Sequence, residues 1–171
     1  MEESGRVMNT NDIEQGIIRV ISDASQQLIE NKNHSDAGWT DGIFTALTKW
    51  AYGLNLWVWS KNNEVDRTLT GFLYDFMVCE GKTGTDIDKV WVAMESEWKL
   101  PFDEIKYDFY KLIQSRSMLR VMIFQSKDVE RTIGDLINIL EKSQMSVSGD
   151  RYLFAGWHDD NGFTFKSHTK S

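Results

Sequence analysis

Apolar residues recur along the first part of the chain at Ile13, Ile17, Ile21, Ala24 and Leu28, the spacing of a helix that buries one stripe. Asn11 is placed to open that helix, with Glu14 as a capping-box partner, and residues 1–10 read as a loose leader. A polar stretch from Asn31 to Gly38 precedes a second helix near Asp41 to Tyr52, which Gly53 is expected to stop. The pattern then changes to short runs rich in β-branched and aromatic residues. Leu54 to Trp59, Leu69 to Cys79 and Val90 to Trp98 each predict a strand, separated by the polar turn Lys61 to Arg67 and by a glycine-bearing loop. Pro101 closes the third strand and opens a helix carrying Ile105, Phe109, Leu112 and Ile113. Leu119 to Phe124 is almost wholly apolar, as a strand covered on both faces would be, and so belongs in the middle of the sheet. Asp128 to Lys142 sets Val129, Ile133, Leu136, Ile137 and Leu140 on one side of a helix. Arg151 to Trp157 and Phe163 to Lys166 then predict a hairpin around the sequence Asp-Asp-Asn-Gly.

The resulting order, α-α-β-β-β-α-β-α-β-β, predicts an α/β (α+β) domain with a mixed sheet flanked by helices. Three consecutive strands followed by a helical crossover into a buried strand require both antiparallel and parallel neighbours. The chain has no internal repeat and a single proline, so residues 11–171 read as one domain. At 171 residues it can bury a substantial core unaided. The single cysteine, Cys79, precludes an internal disulfide and fits a reducing compartment. The amino terminus does not resemble a signal peptide and no apolar run is long enough to span a bilayer, so a cytoplasmic protein is expected.

Charge bears on partners. Lys and Arg total 19 against 26 Asp and Glu, a net charge of −7. Nucleic-acid binding draws on a basic footprint that releases phosphate counterions. Here Lys106, Lys111, Arg116, Arg120 and Lys127 are scattered and offset by Asp103, Glu104 and Asp108. The balance disfavours nucleic acid and leaves a protein partner or a homodimer open.

The candidate chemistry is a set of carboxylates in strand contexts. Asp75 is expected inside the second strand and Glu95 and Glu97 at the end of the third, where strand alternation projects both glutamates from one face. If these strands pair as a meander, the acids converge at one end of the sheet. Carboxylates so crowded repel one another unless a cation sits among them, and magnesium suits hard oxygen ligands. Lys111, on the following helix, could polarise a nucleophile or offset charge on a phosphate. It also lies three residues after Asp108, which suits an ordinary helix-surface ion pair.

Other features read as structural. Gly81-Lys82-Thr83 lacks the first glycine of a phosphate loop, because position 76 is Phe76, and no helix pattern follows. His34, His158 and His168 have no ligand-spaced partners, and Cys79 suits a small core side chain. The tryptophans at 50, 57, 59, 91, 98 and 157 suit core packing or a partner-binding surface, with Trp98 placed to wall the acidic site.

An acid on the second strand and acid-x-acid or acid-x-lysine on the third, in a helix, three strands, helix, strand frame, resembles the PD-(D/E)xK nuclease superfamily over roughly residues 11–125. The C-terminal helix and hairpin, 128–167, would be appended to that core. The resemblance implies a restriction-endonuclease-like fold and a Mg2+- or Mn2+-dependent phosphodiester hydrolase acting on DNA or RNA. It implies Asp75 and Glu95 as metal ligands, Glu97 as a further ligand or base, and Lys111 as the transition-state cation. Tyr74 stands where the family motif has proline. The motif lysine has two readings. Either Glu95-Ser96-Glu97 fills the acid-x-lysine slot with Lys111 reaching in, or Glu97-Trp98-Lys99 is the motif and Lys99 the cation. Glu95 directly follows an apolar run, where the family's ligand falls, which favours the first. A non-catalytic interaction module on a degenerate version of this fold is the alternative.

Overall fold

The structure, a computed structural model, describes residues 8–32, 35–61, 69, 73–159 and 162–171. The first helix, α1 (Thr10–Glu30), starts a residue earlier than its pattern indicates, because the Asn9 side chain accepts the Asp12 N–H and caps it. Glu14 is therefore not a capping-box partner. It is buried beneath β5 and β6, bonded by Arg151 at 2.7 Å and by Ser167 at 2.6 Å. The second helix, α2 (Asp36–Gly53), begins inside the stretch expected to be a polar connection, since Ser35 caps it through the Gly38 N–H. Gly53 ends the helix from within, and Asn55 takes the left-handed turn at φ +58°. That turn delays the first strand, β1 (Trp57–Ser60), by three residues relative to the expected start at Leu54.

The remaining elements are β2 (Phe76–Glu80), β3 (Lys89–Glu97), α3 (Phe102–Ile113), β4 (Leu119–Gln125), α4 (Val129–Lys142), β5 (Arg151–His158) and β6 (Gly162–Thr169). The order is the one the periodicities predict. The second strand is much shorter than expected: Leu73 to Asp75 form a bend, and Leu69 makes only an isolated bridge to Trp59. The positions 62–67 of the expected polar turn, 70–72 of the expected strand, 160–161 of the hairpin turn, His34 and most of the leader lie outside the described residues.

The six strands form one mixed sheet in the order β1-β2-β3-β4-β5-β6. The strands β1, β2 and β3 are an antiparallel meander. The chain then crosses through α3 to β4, parallel to β3, and through α4 to β5, parallel to β4, before β6 returns antiparallel. The apolar strand β4 is thus central, with parallel neighbours on both sides. Helices cover both faces. On one, Ile13, Ile17 and Ile21 of α1 and Phe44 and Leu47 of α2 meet Val92, Met94, Val121 and Leu153. On the other, Phe109 and Leu112 of α3 and Ile133 and Leu136 of α4 meet Met122, Phe124 and Phe154. Each such buried side chain contributes about 1.5–3 kcal/mol of transfer free energy, which fixes the helices against the sheet.

The seat of α4 depends on one small residue. A Cβ on Gly156 would fall 2.3 Å from Val129 Cγ1 and 2.9 Å from Phe124 Cζ. Valine in a helix is stiff at χ1 and cannot swing aside. Gly156→Ala is therefore expected to destabilise the fold by about 1–3 kcal/mol, seen as a lower urea midpoint at unchanged slope.

Candidate active site

Pairing between β2 and β3 sets Phe76 opposite Met94, so Asp75, the residue before β2, comes beside Glu95 and Ser96. Asp75 is not a mid-strand residue, as its apolar neighbours suggest. Its side chain takes over a ladder role, with Oδ2 accepting the Ser96 N–H at 3.2 Å, while its carbonyl accepts the Lys61 N–H. Its Oδ1 lies 3.3 Å from the Lys61 ammonium, and its side chain is 15 % exposed.

Glu95 is fully buried, on the sheet face covered by α3. Helix α3 starts at Phe102 after Pro101, and its apolar stripe lays it across β3 and β4. Lys111, in its last turn, consequently reaches down to Glu95. The Lys111 ammonium lies 2.8 Å from Glu95 Oε2 and 2.8 Å from Asp108 Oδ1, and remains 36 % exposed. Both local and long-range pairings of this lysine are thus realised at once. Glu95 Oε1 is different: it is buried without a hydrogen-bond partner, as is the neighbouring Ser96 Oγ.

The electrostatics follow from that burial. Loss of solvent raises the Glu95 carboxyl to about 8, the Asp75 charge adds to the effect, and Lys111 offsets only part of it. Burial pulls Lys111 downward, but hydrogen bonds to Asp108 and Glu95 outweigh it and hold the amine above its ordinary value. Behind the pair, burial and then the Glu95 charge raise the Tyr74 phenol. Arg120 is also buried, its Nη2 held by the Ser115 carbonyl at 2.8 Å and by Asp150 at 3.0 Å.

Glu97 and Lys99 do not join this group. Glu97 Oε1 turns back to accept the Lys99 N–H at 2.8 Å, and the Lys99 ammonium lies 3.6 Å from Glu104. The structure brings together Asp75, Glu95, Lys111 and Asp108. The last was legible only as a local partner for Lys111, since nothing in its spacing discloses that α3 crosses Glu95. Among the described residues no three His, Cys, Asp or Glu side chains are grouped as a metal centre.

The remaining candidates have structural places. The segment Gly81-Lys82-Thr83 joins β2 to β3, and its Gly81 carbonyl accepts the Trp57 indole N–H at 3.1 Å. His168 bonds Glu141 at 2.6 Å, and burial pushes the Cys79 thiol up to about 12, which leaves it unreactive. No helix among the described residues is long and apolar enough to cross a membrane. Comparisons with protein-family models, curated proteins and solved structures return no match to this chain.

Proposed function

We propose that this chain is a divalent-cation-dependent phosphodiester hydrolase whose site is built from Asp75, Glu95 and Lys111. The observation that carries the reading is Glu95 Oε1, a buried carboxylate oxygen with no partner beside a second carboxylate. An orphaned acceptor of this kind is costly unless a proton or a cation completes it. Two carboxylates suffice for magnesium, which keeps several waters and shares its sphere with substrate phosphate. Asp75 and Glu95 are the residues that would hold such an ion. The antiparallel meander of β1 to β3, with its helical crossover to a parallel β4, supports the same reading through the nuclease-like frame.

When bound, a divalent ion supplies a water of lowered pKa and neutralises charge gathering on the phosphate. The protein's own part is positioning. Asp108 and Glu95 Oε2 hold the Lys111 amine as a charged donor, which would offset charge on a bound phosphate. Asp75, anchored by the Ser96 N–H, is held at the edge of the site rather than free to rotate. Glu97 is assigned no step, because its carboxylate is spent on the Lys99 N–H.

A second reading rests on the same lysine. Lys111 already bonds Glu95 Oε2, and a chain of net charge −7 would suit a non-catalytic module that binds a basic protein. Thermal melting separates the two. A real site should raise the melting temperature with increasing Mg2+ or Mn2+, by about 2.7 kcal/mol of stability at a hundredfold excess over Kd. Asp75→Ala/Glu95→Ala should abolish that rise. Melting curves of the wild type that ignore both ions would move the assignment to the interaction module.

A further inference from the structure

A second feature lies on the other face of the sheet, packed with α2 rather than α3. The parallel strands β3, β4 and β5 end together at Glu97, Gln125 and His158, leaving a crevice beyond their carboxyl ends. Here that crevice is a hollow of about 390 Å³, lined by Trp39, Trp98 and Trp157, with Gln125, Asp36 and Asp159 at its polar side. Trp39 is the centre of the aromatic wall, its ring centroid 4.6 Å from Trp157 and 5.8 Å from Trp98.

The wall is held rigid by its own hydrogen bonds. Trp98 Nε1 donates to Thr40 Oγ1 at 2.8 Å, and Trp157 Nε1 donates to Asp159 Oδ1 at 3.2 Å. Gln125 also donates to Asp159 Oδ1, at 3.1 Å, so that carboxylate is fixed while its Oδ2 takes no bond among the described residues. The two charged side chains lining the hollow are both acidic. The basic groups Lys127 and His158 line an adjoining hollow that shares Gln125 and Asp159. The positive end of α2 lies at this rim, but Ser35 caps the Gly38 N–H and Asp36 sits in the helix's first turn.

Aromatic faces carry negative quadrupole charge, and carboxylates add to it. A nucleobase platform would pair its rings with lysine or arginine for the phosphate, and this lining has neither. A primary ammonium gives up strong hydration to enter such a place, whereas a methylated ammonium gives up little and packs its methyl groups on the indoles. The geometry points to this hollow as a binding site for a methylated ammonium group, borne either by a small free solute or by a methylated lysine side chain. It is independent of the Asp75–Glu95 site.

Titrate the protein with choline, followed by calorimetry and by the indole N–H resonances of Trp98 and Trp157, beside the neutral isostere 3,3-dimethyl-1-butanol. Saturable choline binding is expected, with the isostere weaker by about tenfold or more. Asp36→Asn/Asp159→Asn, at two exposed positions, should weaken choline several-fold while melting as the wild type does. A peptide carrying trimethyl-lysine that binds more tightly than choline assigns the source to a protein, and one that binds no better assigns a free solute. Equal binding of choline and its isostere, or no choline response at these indoles, overturns the proposal. So does a nucleoside monophosphate that perturbs the same resonances where choline does not.

Discussion

With the hydrolase function proposed for this site, replacing Glu95 with glutamine is expected to lower divalent-dependent cleavage of labelled DNA or RNA by at least about a hundredfold, while the protein stays folded. The substitution keeps the shape of the side chain and its ability to accept from Lys111, but removes the charge that would face a cation at Oε1. Loss of one electrostatic contact to a transition state typically costs about 10²–10³ in rate. Asp75→Asn and Lys111→Met should fall in the same range. Glu97→Gln and Lys99→Met should stay within a few-fold of wild type, because neither side chain bonds to that group. This set of variants also decides between the two readings of the motif lysine. If Lys99→Met is inactive and Lys111→Met is not, the site is organised around Glu97 and the assignment of Glu95 fails.

The way the two readings separate shows what a sequence can carry. Element order follows from changes of period, from the 3.6-residue stripe of α1 to the short β-rich runs and back, and the sheet is the mixed one those changes require. Boundaries were set by single capping residues whose effect is local but which have competitors. Ser35 starts α2 inside a stretch that composition marks as connection, and Asn55 spends a left-handed turn where a strand was expected. Asp75 reads as a mid-strand residue because Leu73 and Phe76 continue an apolar run around it, whereas it lies just before β2 with its carboxylate accepting the Ser96 N–H. Long-range pairing left no local mark at all. Glu14 meets Arg151 across most of the chain, and only the packing of α1 under β5 and β6 makes that possible. The same holds at the site. The acids are visible as residues, but that Glu95 meets Lys111 while Glu97 turns away depends on how α3 crosses β3.

In metal-free protein the stability of wild type should fall as pH rises from about 4.5 toward 8, and Glu95→Gln should remove that fall. The Glu95–Lys111 distance of 2.8 Å suggests a plain ion pair, yet complete burial of the carboxyl and the Asp75 charge both oppose ionisation. Burial prevails because Lys111 is divided between Glu95 and Asp108 and is itself partly solvated. The carboxyl is therefore raised from 4.5 to about 8 in the folded state. A raised group stabilises the fold fully below its unfolded value, and that stability is lost as pH climbs through the folded value. The slope reaches about 1.4 kcal/mol per pH unit. Glu141 acts at the other end: hydrogen bonds from Ser171 and His168 lower it to about 2, so its contribution is present above 4.5 and is lost only in stronger acid. Subtracting the Glu95→Gln curve from wild type isolates the buried acid, and urea denaturation between pH 5 and 9 in chelator measures it. The variant should overtake wild type in stability on the alkaline side, and Lys111→Met, which leaves Glu95 without its cation, should go on falling to a higher pH than wild type does. Parallel wild-type and Glu95→Gln curves would mean that Glu95 stays ionised throughout, so that Oε1 faces a charge the fold already compensates and the case for a cation there loses its footing.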